Sequence, residues 1–112
     1  MKVFVDECVT YDLMPHLTGH QFTHIADTPL RGAKNGAMLR AVAPDHAVFL
    51  TTDKSIPYQQ NLKKFAMAFI ILRAASNDVE DLLPLLPRLT AVLERIEAGG
   101  YAPGDLYEIA AK

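Results

Sequence analysis

F-L-T-T-D-K-S-I-P-Y-Q-Q-N, Phe49 to Asn61, changes character midway. The apolar run Ala47 to Thr51 closes on Thr52-Asp53, then gives way to a proline, a tyrosine and the amides Gln59, Gln60 and Asn61. A short apolar run bounded by polar residues has the pattern of a strand buried on both faces, with an acid at its carboxyl end. The amino terminus repeats the pattern: Lys2 to Val5 is apolar and stops at Asp6-Glu7. Gln21 to Ala26 alternates as a strand does, and Ala66 to Leu72 is a fourth run, closed by Arg73.

The segments between these runs have helical spacing. Thr10 to Leu17 predicts a short helix with Gly19 at its exit, against the resistance of Pro15. Lys34 to Ala43 places Met38, Leu39 and Val42 on one face before Pro44 stops it. Pro57 to Lys64 suits a short helix. After Ser76-Asn77, a good capping pair, Asp78 to Glu97 aligns Val79, Leu82, Leu83, Leu86, Leu89, Val92, Leu93 and Ile96, with Pro84 and Pro87 dividing the segment. Asp105 to Ala110 adds a short edge strand. Strands alternating with helices predict an α/β protein with a mainly parallel central sheet, covered on both faces and joined by right-handed crossovers. The whole of 1–112 is expected to be one domain.

Half of the residues are apolar and 21% are charged, which excludes the disordered and disulfide-dense classes. The net charge of −2 gives no general basic footprint for a phosphate backbone, so any nucleic-acid contact is local or shared with a partner. One cysteine allows no internal disulfide, no signal-peptide pattern opens the chain, and no apolar run nears the roughly 20 residues of a membrane span. A cytoplasmic protein with no membrane association is the expectation.

Asp6, Glu7 and Asp53 all fall at predicted strand ends, the edge where parallel sheets meet their ligands. Asp6 and Asp53 together would suit one hard cation, since magnesium is often held by one or two carboxylates plus water and phosphate. Each taken singly is equally a solvated turn residue. His20 and His24 lie in a strand and its entry turn, where packing roles are favoured over a metal. Cys8 follows Glu7, a neighbour that raises a thiol pKa, so it is not expected to be a nucleophile. Lys34 and Asn35 open the second helix either as a phosphate-facing surface or as simple capping. The leucine stripe is core, or a homodimer or partner interface where a face stays exposed.

The segments V-F-V-D-E, L-R-G-A-K-N-G-A-M-L, F-L-T-T-D-K-S-I-P-Y-Q-Q-N-L and L-R-A-A-S-N-D-V-E-D-L-L-P resemble the small PIN-like proteins of the DUF5615 family, from Met1 to about Gly99. The resemblance implies a PIN-like three-layer fold with acids gathered at the carboxyl edge of the sheet. It further implies Mg2+ or Mn2+ held by Asp6 and Asp53 with Glu7 as a possible third acid, hydrolysis of RNA, and a toxin neutralised by a cognate antitoxin. The alternative it leaves is a catalytically degenerate binding module acting through a protein partner. Two departures bear on that choice: many relatives carry an acid where this chain has Asn35, and D-x-D-F where it has Asp53-Lys54-Ser55-Ile56. The amides Gln59, Gln60 and Asn61, with Lys34, Asn35 and Lys54, would then orient substrate, or the amides would hold a long loop shut.

Overall fold

A computed structural model describes residues 1–110. Among them five strands form one sheet, β1 (Lys2–Val5), β2 (Gln21–His24), β3 (Val48–Thr51), β4 (Ala68–Arg73) and β5 (Leu106–Ala110), in the order β2-β1-β3-β4-β5. Every pairing is parallel, with Val5 beside both His24 and Leu50, and Leu50 beside Ile70. The four α-helices among the described residues are α1 (Asn35–Val42), α2 (Ile56–Gln59), α3 (Val79–Leu82) and α4 (Leu86–Gly99).

The apolar runs divide their residues between two cores because a strand's side chains alternate. Val3, Val5, Val48, Leu50, Ala68, Ile70 and Leu72 face Leu82, Leu85, Leu89, Leu93 and Ile96 of the carboxyl-terminal helices, together with Val9 and Leu13. Phe4, Phe49, Phe69 and Ile71 face the opposite way, onto Met38, Leu39 and Val42 of α1 and onto Ile56, Leu62 and Phe65. The result is a three-layer α/β protein, with β1, β3 and β4 buried on both faces. The stripe on α3 and α4 packs on the sheet.

Local departures from the sequence expectations have local causes. Thr10 to Leu17 forms a 3₁₀ helix, Tyr11–His16, which accommodates Pro15. β2 ends at His24 because the His24 ring accepts the Ala26 N–H at 3.0 Å and starts a 3₁₀ turn, Ile25–Asp27. The segment from Pro57 to Lys64 divides into α2 and a 3₁₀ turn, Leu62–Lys64. Pro84 and Pro87 break the last helical region as expected, each sitting in the first turn of its own piece.

The crossovers are not all of one hand. From β1 the chain moves outward over the α4 face to β2, then returns over the α1 face to β3 and continues on that face to β4. The last connection moves in the same direction, yet crosses the α4 face. Its hand is therefore opposite to that of the other three, a correction to the uniform right-handed expectation. The physical reason is coverage. The α1 face is already filled, whereas the other side of the sheet would carry seven buried aliphatic strand residues with only the Tyr11–His16 turn to cover them.

Candidate functional site

The sheet order reverses between β1 and β3, and the chain leaves these strands toward opposite faces, Val9 and Leu13 into one core, Ile56 and Leu62 into the other. Such a divergence opens a crevice at the carboxyl ends of the two strands. Asp6 and Thr51 stand there, both buried, with Asp6 only 7% exposed.

The Asp6 carboxylate is held by three donors. Oδ1 accepts the Glu7 N–H at 2.8 Å; Oδ2 accepts the Thr51 hydroxyl at 2.8 Å and the Cys8 thiol at 3.2 Å. Thr51 Oγ1 also accepts the Asp53 N–H at 3.0 Å, so one hydroxyl joins the end of β1 to the turn after β3. The Asp53 carboxylate turns forward: its Oδ1 accepts the Ser55 N–H at 2.9 Å and the Ser55 hydroxyl at 2.6 Å, shaping the entry to α2. Cys8 Sγ accepts the Thr52 N–H, and the Cys8 carbonyl accepts the Thr52 hydroxyl and the Asn77 side-chain amide. The loop after β4 is thereby tied to the loop after β1.

The Cys8 thiol is pushed above its ordinary value of 9.0, chiefly by burial, with the Asp6 charge adding to it against the lowering bonds from Thr51 and Thr52. It stays protonated at neutral pH and donates to the acid. Cys8 is thus no nucleophile, for a reason other than its sequence neighbour: the exposed Glu7 side chain is not among the causes. His24 is a packing residue. With Nδ1 accepting from Ala26, Nε2 carries the proton and donates to the Val9 carbonyl at 2.8 Å.

The candidate residues fall into separate groups. Asp6 and Asp53 share the Thr51 network. Lys54, exposed, lines a cleft of about 270 Å3 with Thr52, Arg73, Ser76 and Asn77 at the ends of β3 and β4. A second cleft of about 280 Å3 carries Lys54 and Arg73 on to Tyr58, which is 90% exposed. Asn35 is half-buried in the first turn of α1, which starts without a side-chain cap, so the capping role falls away; Lys34 before it is exposed. Gln60 is half-buried against that turn: a Cβ at Gly36 would lie 3.4 Å from Gln60 Oε1. Gln59 and Asn61 are exposed. One member of the amide run thus joins α1 to the segment after α2.

Thr51, Cys8, Ser55, Arg73 and Asn77 were not among the sequence candidates. The T-x-D spacing was the available signal for Thr51, since alternation sends its side chain inward from a strand end. Asn77 carried none, because its partner lies on a different strand's exit loop.

A family model described as a PIN like domain matches residues 1–70. The matched span runs from β1 into the start of β4 and contains Asp6, Thr51 and Asp53. No curated protein and no solved structure matches the chain.

Proposed function

The chain belongs to the PIN like domain family, a nuclease-type fold, and from that premise we propose that it is a metal-dependent ribonuclease acting on single-stranded RNA at the crevice between β1 and β3. What carries the proposal is the joining of buried Asp6 to the Thr51-Thr52-Asp53 end of β3 through one hydroxyl. The Asp6 carboxylate is oriented rather than free, as acids that bind a cation commonly are. Lys54 in the adjoining cleft would take phosphate oxygens, beside an Arg73 paired with Glu108 at 2.8 Å, and the exposed Tyr58 ring would take a base face, the combination that single strands use. Lys34, Asn35 and Gln59 to Asn61 would position the strand further along, with Glu7 an acid at the rim.

Asp6 and Asp53 offer hard oxygen ligands of the kind Mg2+ or Mn2+ prefers. Among the described residues no group of three His, Cys, Asp or Glu side chains gathers to hold a metal. An ion held by this pair would therefore need substrate phosphate and water to complete its shell. When bound, that ion supplies polarisation of the phosphate and a more acidic water. The narrower likeness to DUF5615, and with it a toxin role opposed by an antitoxin, rests on the quoted motifs.

A second reading, a degenerate module that acts through a partner, is favoured by a specific observation: Asp53 Oδ1 is occupied twice by Ser55. The test is incubation of defined single-stranded RNAs with the wild-type chain, Asp6→Asn and Lys54→Gln, with and without Mg2+ or Mn2+, each variant checked for folding by thermal melting. Metal-dependent cutting that vanishes in folded Asp6→Asn bears out the nuclease. RNA bound but never cut transfers the case to the binding module, and neither binding nor cutting sinks the RNA proposal.

A further inference from the structure

The opposite edge of the sheet carries a feature that the crevice does not use. Between the end of α1 and the turn Leu62–Lys64 lies a cleft of about 440 Å3, within the size range of small-molecule sites. Its apolar surface comes from Ala43, Pro44, Phe65 and Ala66, and its two charged residues are Arg40 and Lys64. Both cations are exposed, and among the described residues neither makes an ion pair; the pairs are those of the amino terminus with Glu97 and of Arg73 with Glu108. No acid lines the cleft.

We infer that this cleft binds a small organic anion, a carboxylate on a flat apolar body. A single solvated cation beside an apolar patch would mean little. Two cations with no acid among the lining residues give the concavity one sign of charge, and an anion seated there would meet that charge while its body covers the floor. The orientation follows from α1. Its carboxyl end disfavours negative charge, but Arg40 reaches back along the helix, its Nη1 3.6 Å from where a Gly36 Cβ would stand. The carboxylate therefore lies toward the guanidinium and the apolar body toward Pro44 and Phe65. An extended acidic peptide is the competing occupant, since the adjoining cleft, which shares Ala43, Pro44 and Ala66, is lined by Met1 and Lys2 as well as Asp45; the small anion is preferred because the first cleft alone sets two cations against an apolar floor with no acid.

The test is an NMR titration of the full chain with 4-phenylbutyrate and with its neutral analogue 4-phenylbutyramide. Saturable shifts are expected at the amides of Ala43, Lys64, Phe65 and Ala66. The neutral analogue should bind about tenfold more weakly, and so should the acid to a folded Arg40→Gln, Lys64→Gln double variant, since a charge-assisted contact is worth at least one such factor. Absence of saturable shifts, equal affinity for acid and amide, or unchanged affinity in the double variant overturns the inference. Tighter binding of the peptide acetyl-Glu-Phe-Glu-Leu-Glu-amide, with shifts spreading to Lys2, His46 and Tyr101, would also overturn it and give the groove to a protein partner.

Discussion

One hydroxyl at the end of β3 donates to the Asp6 carboxylate and accepts the Asp53 backbone N–H, so Thr51 joins the end of β1 to the turn after β3. Thr51→Val keeps the shape and removes both bonds, leaving a buried carboxylate short of a donor. A loss of about 1–3 kcal/mol is expected in urea unfolding, with Thr51→Ser recovering most of it. A valine variant as stable as wild type would mean that the network is incidental. Asp6→Asn is not neutral either, because the amide places a donor where Thr51, Cys8 and Glu7 already donate. At alkaline pH the Cys8 thiol becomes informative. Its folded pKa is raised by burial, so its contribution to stability is fully present below the unfolded value of 9.0 and is lost as pH rises through the folded one. Tyr11, raised by its hydrogen bond to Asp27, acts with the same sign above 10.0. Melting temperature should therefore fall above about pH 9, less steeply in Cys8→Ala. At this scale the acids were legible in the sequence because they end apolar runs. The network around them was not, because Cys8, Thr51 and Asn77 come together only when three strand exits converge.

At the scale of elements, runs and their polar stops gave every strand to within a few residues, since alternation and burial on both faces act locally. The helices were less legible where proline and side-chain caps chose 3₁₀ geometry, as in Tyr11–His16 and Ile25–Asp27. The amide run shows the limit: nothing in Gln59-Gln60-Asn61 says that only Gln60 packs on α1. Two glycines test these joints in opposite ways. Gly36 has ordinary helical backbone and a methyl there would meet Gln60 Oε1 at 3.4 Å, an ordinary contact, so Gly36→Ala should leave stability unchanged or raise it by up to about 1 kcal/mol in urea unfolding. Gly104 has φ +82°, and a Cβ there would stand 2.7 Å from both N and Cα of Lys63. Gly104→Ala should lose at least about 1–3 kcal/mol from the backbone conformation alone, with the clash added, read as a lowered unfolding midpoint.

Across the whole molecule, the last crossover takes the hand opposite to the other three because the leucine stripe has only one unfilled sheet face to cover. The sequence announces the stripe, but not which face remains open, since that depends on where α1 and the 62–65 turn have already packed. The same geometry separates stability from function. Glu97 meets the amino terminus at 3.4 Å, so the last turns of α4 lie near the start of β1, at the edge of the sheet away from Asp6. Ile96, 1% exposed, belongs to the core there and to no part of the crevice. Ile96→Ala should cost about 2–5 kcal/mol, the transfer and cavity loss of a large buried aliphatic side chain. If the proposed RNA function holds, affinity per folded molecule should be unchanged, measured well below the lowered melting temperature. Loss of affinity in a variant still fully folded would mean that the carboxyl-terminal helix reaches the site through the sheet. In that case the strand layer would have to transmit a shift from one edge to the other, and the division between a stabilising end and a chemical end of the fold would be wrong.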